Sequence, residues 1–111
     1  MQSIVIVYFQ GGKPMSAYFI ANIRITDEEL MKQYGVEIGD MVSRWGGEYL
    51  AIDNAPTVLE GKWEYSRLVL LRFPDETTLK KWYNSTEYKD VLQMRLDAAE
   101  CDTIMIRGNQ T

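Results

Sequence analysis

Two arginines, Arg67 and Arg95, are the cations of this sequence best suited to chemistry. A guanidinium holds a carboxylate through two parallel hydrogen bonds, so the pair would form a clamp for a small anion. The competing assignment is structural: an ion pair with Glu60 that ties its turn to the helix layer. Tyr83 and Tyr88 add phenols that could orient a substrate in an aromatic-lined pocket. With Leu79 and Trp82 they equally fit the inward face of a helix, and for Trp82 the core assignment is the stronger. Ser85 has no histidine or lysine placed to activate it, so it reads as a helix cap. Asn22 and Arg24 fall on the mixed face of an early strand, where they would either touch a ligand or satisfy polar groups across an interface.

The rest of the composition narrows the chemistry. Histidine is absent, which removes the commonest neutral-pH acid–base group and the commonest metal ligand. Cys101 is the single cysteine, with no partner for a disulfide or a CxxC pair, and reads as a passive thiol. Asp53, Asp97 and Asp102 lack ligand spacing, so no metal is expected. Gly11-Gly12 and Gly46-Gly47 stand outside any phosphate-loop or dinucleotide motif, so no cofactor is expected either. Sixteen acidic against twelve basic residues give a net charge of −4, which argues against nucleic acid as a partner. The only early apolar run, residues 4–9, is far short of the ~20 residues of a membrane span and has no basic flank. No membrane partner and a cytoplasmic location are therefore expected.

These side chains must be carried by a small scaffold. At 111 residues and 46% hydrophobic, the chain has room for one domain with one core. Residues 4–9 are β-branched and aromatic throughout and read as a strand. A loop, 10–14, separates them from a longer strand at 16–25. There Phe19, Ala21, Ile23 and Ile25 share one face and Tyr18, Ile20, Asn22 and Arg24 the other. Thr26-Asp27-Glu28-Glu29 has the form of a capping box headed by Thr26. Leu30, Tyr34, Ile38, Met41, Val42 and Trp45 then recur at helical spacing as one apolar stripe, and Gly46-Gly47 stops it. Residues 49–53, 57–60 and 65–73 read as strands. Asp75 and Ser85 head two further helices, and 103–107 closes the chain as a last strand. Leaving the first strand aside, the order strand–helix–strand–strand–helix–strand is the split βαβ pattern. It predicts an α+β, ferredoxin-like fold: a four-stranded antiparallel sheet with its helices on one face. The other face, expected to carry Ile20, Leu68, Leu70 and Met105, is too apolar to stay wet, and a second copy of the same sheet is the simplest cover.

Several segments in order resemble a known family. They are Ser16-Ala17-Tyr18-Phe19-Ile20-Ala21, Thr26-Asp27, Gly46-Gly47-Glu48-Tyr49-Leu50-Ala51, Leu59-Glu60-Gly61-Lys62-Trp63, the stretch from Arg67 to Pro74, and Trp82-Tyr83-Asn84-Ser85-Thr86-Glu87-Tyr88 followed by Arg95. Together they resemble the domain of unknown function 1330 family, within the dimeric α+β barrel superfamily, over about Met15 to Gly108. The resemblance implies the same fold, a homodimer joined through the sheet face, and a cleft between sheet and helices. Relatives in that superfamily include small monooxygenases, haem-degrading enzymes, isomerases and dehalogenase-like proteins. Lacking histidine near Gly46-Gly47, this chain is a poor match to histidine-ligated haem or histidine proton transfer.

The organisation expected is an N-terminal extension strand and loop at 1–14, the ferredoxin-like domain at 15–108 and a tail at 109–111. The extension strand, which the family core lacks, is expected to pair at a sheet edge near the dimer interface. Two functions fit. One is a cofactor-independent enzyme or binder of a small anionic, carboxylate-bearing molecule, with Asn22, Glu60, Arg67, Tyr83, Tyr88 and Arg95 as candidate ligand-binding residues. The other is a non-catalytic dimeric module whose cleft is vestigial.

Overall fold

A computed structural model describes residues 15–109 of the protein; the expected strand at 4–9 lies outside the described residues. The elements run β1 (Ala17–Ile25), α1 (Glu28–Ile38), α2 (Met41–Arg44), β2 (Glu48–Asp53), β3 (Arg67–Phe73), α3 (Glu76–Tyr83), α4 (Thr86–Ala98) and β4 (Ala99–Arg107). The strands form one sheet in the order β2-β3-β1-β4, with every neighbouring pair antiparallel. This is the expected ferredoxin-like α+β arrangement.

The sheet's two faces follow from strand parity. Ala17, Phe19, Ala21 and Ile23 of β1 and Leu71 and Phe73 of β3 are buried under the helices. From the other layer, Met31, Tyr34 and Ile38 of α1, Leu79 and Trp82 of α3 and Tyr88 and Val91 of α4 close the core. Trp82 is its centre: its ring stacks on Phe73 at 5.2 Å, meets Phe19 edge-on at 5.4 Å and lies 4.4 Å from the Tyr88 ring.

The structure corrects four local expectations. The cap of α1 is Asp27, whose carboxylate accepts from the Leu30 amide at 3.0 Å. Thr26 instead donates its hydroxyl to the Ala98 carbonyl at 3.0 Å, and the amides of Thr26 and Asp27 point to the same oxygen. That oxygen is free because α4 passes directly into β4, so the first strand–helix junction docks there. The single stripe of 30–45 is broken at Gly39 and Asp40, both poor helix residues, into α1 and α2. No strand forms at 57–60, which belongs to the irregular link between β2 and β3. Met105 pairs with Phe19 and faces the helices, while Ile104 and Ile106 take the outer face. The caps expected at Asp75 and Ser85 form, accepting from the Thr78 and Tyr88 amides at 2.7 and 3.0 Å.

The glycine pair ends α2 as a Schellman motif. Gly46, at φ 88°, donates to Ser43, and Gly47 donates to Val42. At Gly47 space is the constraint: a Cβ would lie 2.7 Å from the Phe73 ring and 2.9 Å from Val42. Gly47→Ala is therefore expected to destabilise by about 1–3 kcal/mol through overpacking, measured by chemical denaturation.

Glu87, in the first turn of α4, ties that helix to α2: it accepts from the Trp45 indole at 2.9 Å and pairs with the Arg44 guanidinium. These hydrogen bonds, Arg44 first and Trp45 next, hold its carboxyl below the usual carboxylate range. Its contribution is complete above the unfolded value of about 4.3 and is lost as the pH falls through the lower folded value. Glu87→Gln is expected to flatten the fall in melting temperature below about pH 4.5, with thermal melts from pH 7 to 3 as the measurement.

Candidate functional site

Between the sheet and α1 lies a cavity of about 320 Å³. Its floor is the apolar face of β1 and β3, and its side wall is the Met31, Tyr34 and Ile38 edge of α1. The β2–β3 register slips between Tyr49 and Ala51, leaving Leu50 as the extra residue of a bulge. Pairing with Leu71 and Val69 puts Tyr49 and Ile52 on the same side of the sheet, and both line the cavity. The Tyr49 hydroxyl then donates to the last α1 carbonyl, Ile38, at 3.3 Å, closing one end of the opening.

Arg95 gives this apolar space its charge. It lies on the buried side of α4 with Tyr88, Val91 and Ala98 and is only 3% exposed. Its Nη2 donates to the Tyr88 hydroxyl at 3.3 Å, and that hydroxyl shares a hydrogen bond of 2.8 Å with the Tyr34 hydroxyl. Among the described residues no carboxylate pairs with Arg95, and its Nε has no hydrogen-bond partner. Burial opposes the charge, but Tyr88 and Tyr34, together with the Cys101 thiol, offset it, and the guanidinium is held above its ordinary range. Arg95 is cationic at every accessible pH. Burial first, and the neighbouring Tyr88 second, push the Tyr34 phenol well above its ordinary value, against the opposing pull of Arg95. Burial likewise raises Tyr49. Trp82 also lines the cavity, and its buried indole Nε1 is a second donor without a partner among the described residues.

The candidate residues from the sequence divide among four places. Arg67 and Arg95 line this one cavity, Arg95 within and Arg67 half-buried, and Tyr88 stands behind Arg95. Tyr83 lies elsewhere: it borders a second cavity of about 280 Å³ with Leu79 and Met105, and the Lys89 ammonium sits 3.9 Å over its ring. Asn22 is on the outer sheet face between Leu68 and Asp102, and its buried Oδ1 has no partner among the described residues. Glu60 is exposed in the β2–β3 link, and the alternative ion pair with it does not form: Arg67 donates from Nε to Asn54 Oδ1 at 2.6 Å instead. The sequence reading missed Tyr34 and the Trp82 indole as cavity groups. Tyr34 carried a signal, since it lies on the α1 stripe that must face Tyr88. Among the described residues no group of three metal-ligating side chains occurs, and no helix is long and apolar enough to cross a membrane.

The fold and the cleft place the protein among the ferredoxin-like α+β proteins. It is similar to a protein of unknown function from Rhodopseudomonas palustris, with 15% identity, a TM-score of 0.72, and coverage of 97% of this chain and 94% of that one. A hydroxynitrile lyase from Passiflora edulis matches at 11% identity and a TM-score of 0.69, over 89% of this chain and 97% of that one. A dimeric ferredoxin-like protein of unknown function from Thermobifida fusca matches at 12% identity and a TM-score of 0.62, over 85% and 92%. At these identities the likeness is one of fold. No curated protein matches the sequence. The chain belongs to the family described as Domain of unknown function (DUF1330), whose profile matches residues 16–109.

Proposed function

We propose that this protein binds a small carboxylate-bearing molecule in the cleft between the sheet and α1, and that it does so as a homodimer. One observation carries the reading: a buried guanidinium with no carboxylate partner among the described residues borders an apolar cavity of ligand size. Burying a charge without a counter-ion is costly, and an anionic ligand supplies the missing partner. The volume, about 320 Å³, lies at the small end of the range for small-molecule sites.

The same groups favour recognition over proton transfer. Tyr34 and Tyr49 stay protonated at neutral pH and Arg95 stays charged, so among the described residues the cleft presents donors and a positive charge but no base. A similar fold in Passiflora edulis carries a hydroxynitrile lyase, so the architecture accommodates a small organic molecule.

The dimer rests on the outer sheet face. Ala51, Leu70, Ile20 and Ile104 form an apolar row across all four strands, and Ile104 and Ile106 are 56% and 42% exposed in the single chain. The buried, unpartnered Asn22 Oδ1 lies on the same face. The similar protein from Thermobifida fusca is described as dimeric.

The ligand reading is tested by thermal melts with aromatic and aliphatic monocarboxylates. Saturation at a hundred times Kd contributes about 2.7 kcal/mol, which for a domain of this size raises the melting temperature by roughly 10 °C or more. Melts that no carboxylate moves would overturn it.

A further inference from the structure

We propose that the ligand is a monocarboxylate on an apolar body of about two fused rings, and that it enters through a notch that Gly35 and Gly39 leave in α1; this rests on the reading of the cleft as an anion site. The size follows from volume. A cavity of 150 Å³ holds one benzene, and this one, at about 320 Å³, is roughly twice as large.

The carboxylate end is fixed by the buried donors. Among the described residues Arg95 Nε and Trp82 Nε1 have no hydrogen-bond partners, and both residues border the cavity. A carboxylate offers two oxygens with several lone pairs to such donors and neutralises the guanidinium, whereas a neutral amide would leave its charge uncompensated. The remaining walls are aliphatic and aromatic and suit an uncharged body.

The way in is read from α1. The cavity-lining residues of α1 and its C-cap alternate between buried side chains, Met31, Tyr34 and Ile38, and the exposed glycines Gly35 and, at the cap, Gly39. Glycine is a poor residue for a helix interior, and at Gly35 no packing requires it: an added Cβ would meet nothing within 4 Å. What the glycine does provide is an unfilled edge to the cavity, one turn from the Tyr49–Ile38 closure, in a lining that also includes Ile52 and Arg67. Arg67 at the rim supplies positive potential on the path of an incoming anion.

The test measures binding of 2-naphthoate, benzoate and neutral 2-naphthamide by calorimetry to the full chain and to three variants. The wild type is expected to bind 2-naphthoate at least about tenfold tighter than benzoate, from burial of the second ring, and 2-naphthamide at least about a hundredfold more weakly. Gly35→Leu is expected to keep or raise the melting temperature and to weaken 2-naphthoate at least about tenfold; Gly35→Ala is expected to bind within about threefold of wild type. Arg95→Met is expected to bind neither acid. If Gly35→Leu binds 2-naphthoate like the wild type while Arg95→Met does not, the notch is wrong and the anion site stands. Benzoate binding as tightly as 2-naphthoate overturns the two-ring body. Binding that survives Arg95→Met, or a wild type that takes neither acid, overturns the site itself.

Discussion

Arg95→Met is expected to melt at or above the temperature of the wild type and to lose the whole carboxylate-induced rise of roughly 10 °C. The two halves of that result have one cause. Within the described fold the guanidinium is 3% exposed, donates to Tyr88 at 3.3 Å, lies 5.9 Å from the Tyr34 ring centre and near the Cys101 thiol, and pairs with no carboxylate. Methionine has a similar unbranched length, removes the charge and leaves no buried acceptor stranded, because the Tyr88 and Tyr34 hydroxyls remain hydrogen-bonded to each other. Replacing buried ionic groups by apolar ones of similar volume is neutral or stabilising by about 1–4 kcal/mol. An arginine that served the fold would behave oppositely, costing about 3–5 kcal/mol when removed. Paired thermal melts of the two proteins, with and without 2-naphthoate, separate the cases. A strongly destabilised variant assigns Arg95 to structure and removes the basis of the ligand site.

That arginine was legible in the sequence only as a cation. Its burial was implicit in the spacing of Tyr88, Val91, Arg95 and Ala98, which places it on the inward stripe of α4, but spacing does not say whether a carboxylate waits on the opposite element. The sheet was legible wherever one face alone was apolar, as in β1, and the caps at Asp75 and Ser85 followed from residue type and position. β4 shows where such reading stops. Met105, Ile104 and Ile106 put apolar side chains on both parities, so alternation does not choose the inner face; the pairing of Met105 with Phe19 does. Thr26 and Asp27 are both good cap residues, and the choice fell to the Ala98 carbonyl, seventy-two positions away, which draws Thr26 off the helix. The cavity mouth was least legible. It depends on the bulge at Leu50, a property of the β2–β3 register that no local pattern in 48–53 announces.

Leu70→Asp is expected to convert the proposed homodimer to a monomer. Leu70 lies near the middle of the outer face, flanked by Ile20 on β1 and Ala51 on β2, with Ile104 completing the row on β4. A face-to-face dimer of two such sheets would bury on the order of 2,000 Å² in total, with this row at its centre. An aspartate there loses its hydration on association and finds no cation in the row, a cost of several kcal/mol per ion. Two-fold symmetry imposes that cost twice, together with repulsion between the two carboxylates if they approach each other. At about 3 kcal/mol per copy the dissociation constant rises by more than about 10⁴. In the monomer the same aspartate faces water, opposite the helix layer, so the core around Trp82 is unaffected and the fold persists. Sedimentation at micromolar concentration is expected to give twice the chain mass for the wild type and the single-chain mass for Leu70→Asp, with both proteins retaining native circular dichroism. A wild type that sediments as a monomer would sink the dimer. If Leu70→Asp stays dimeric, the two copies meet elsewhere than on the sheet face, and the apolar row has some other cover.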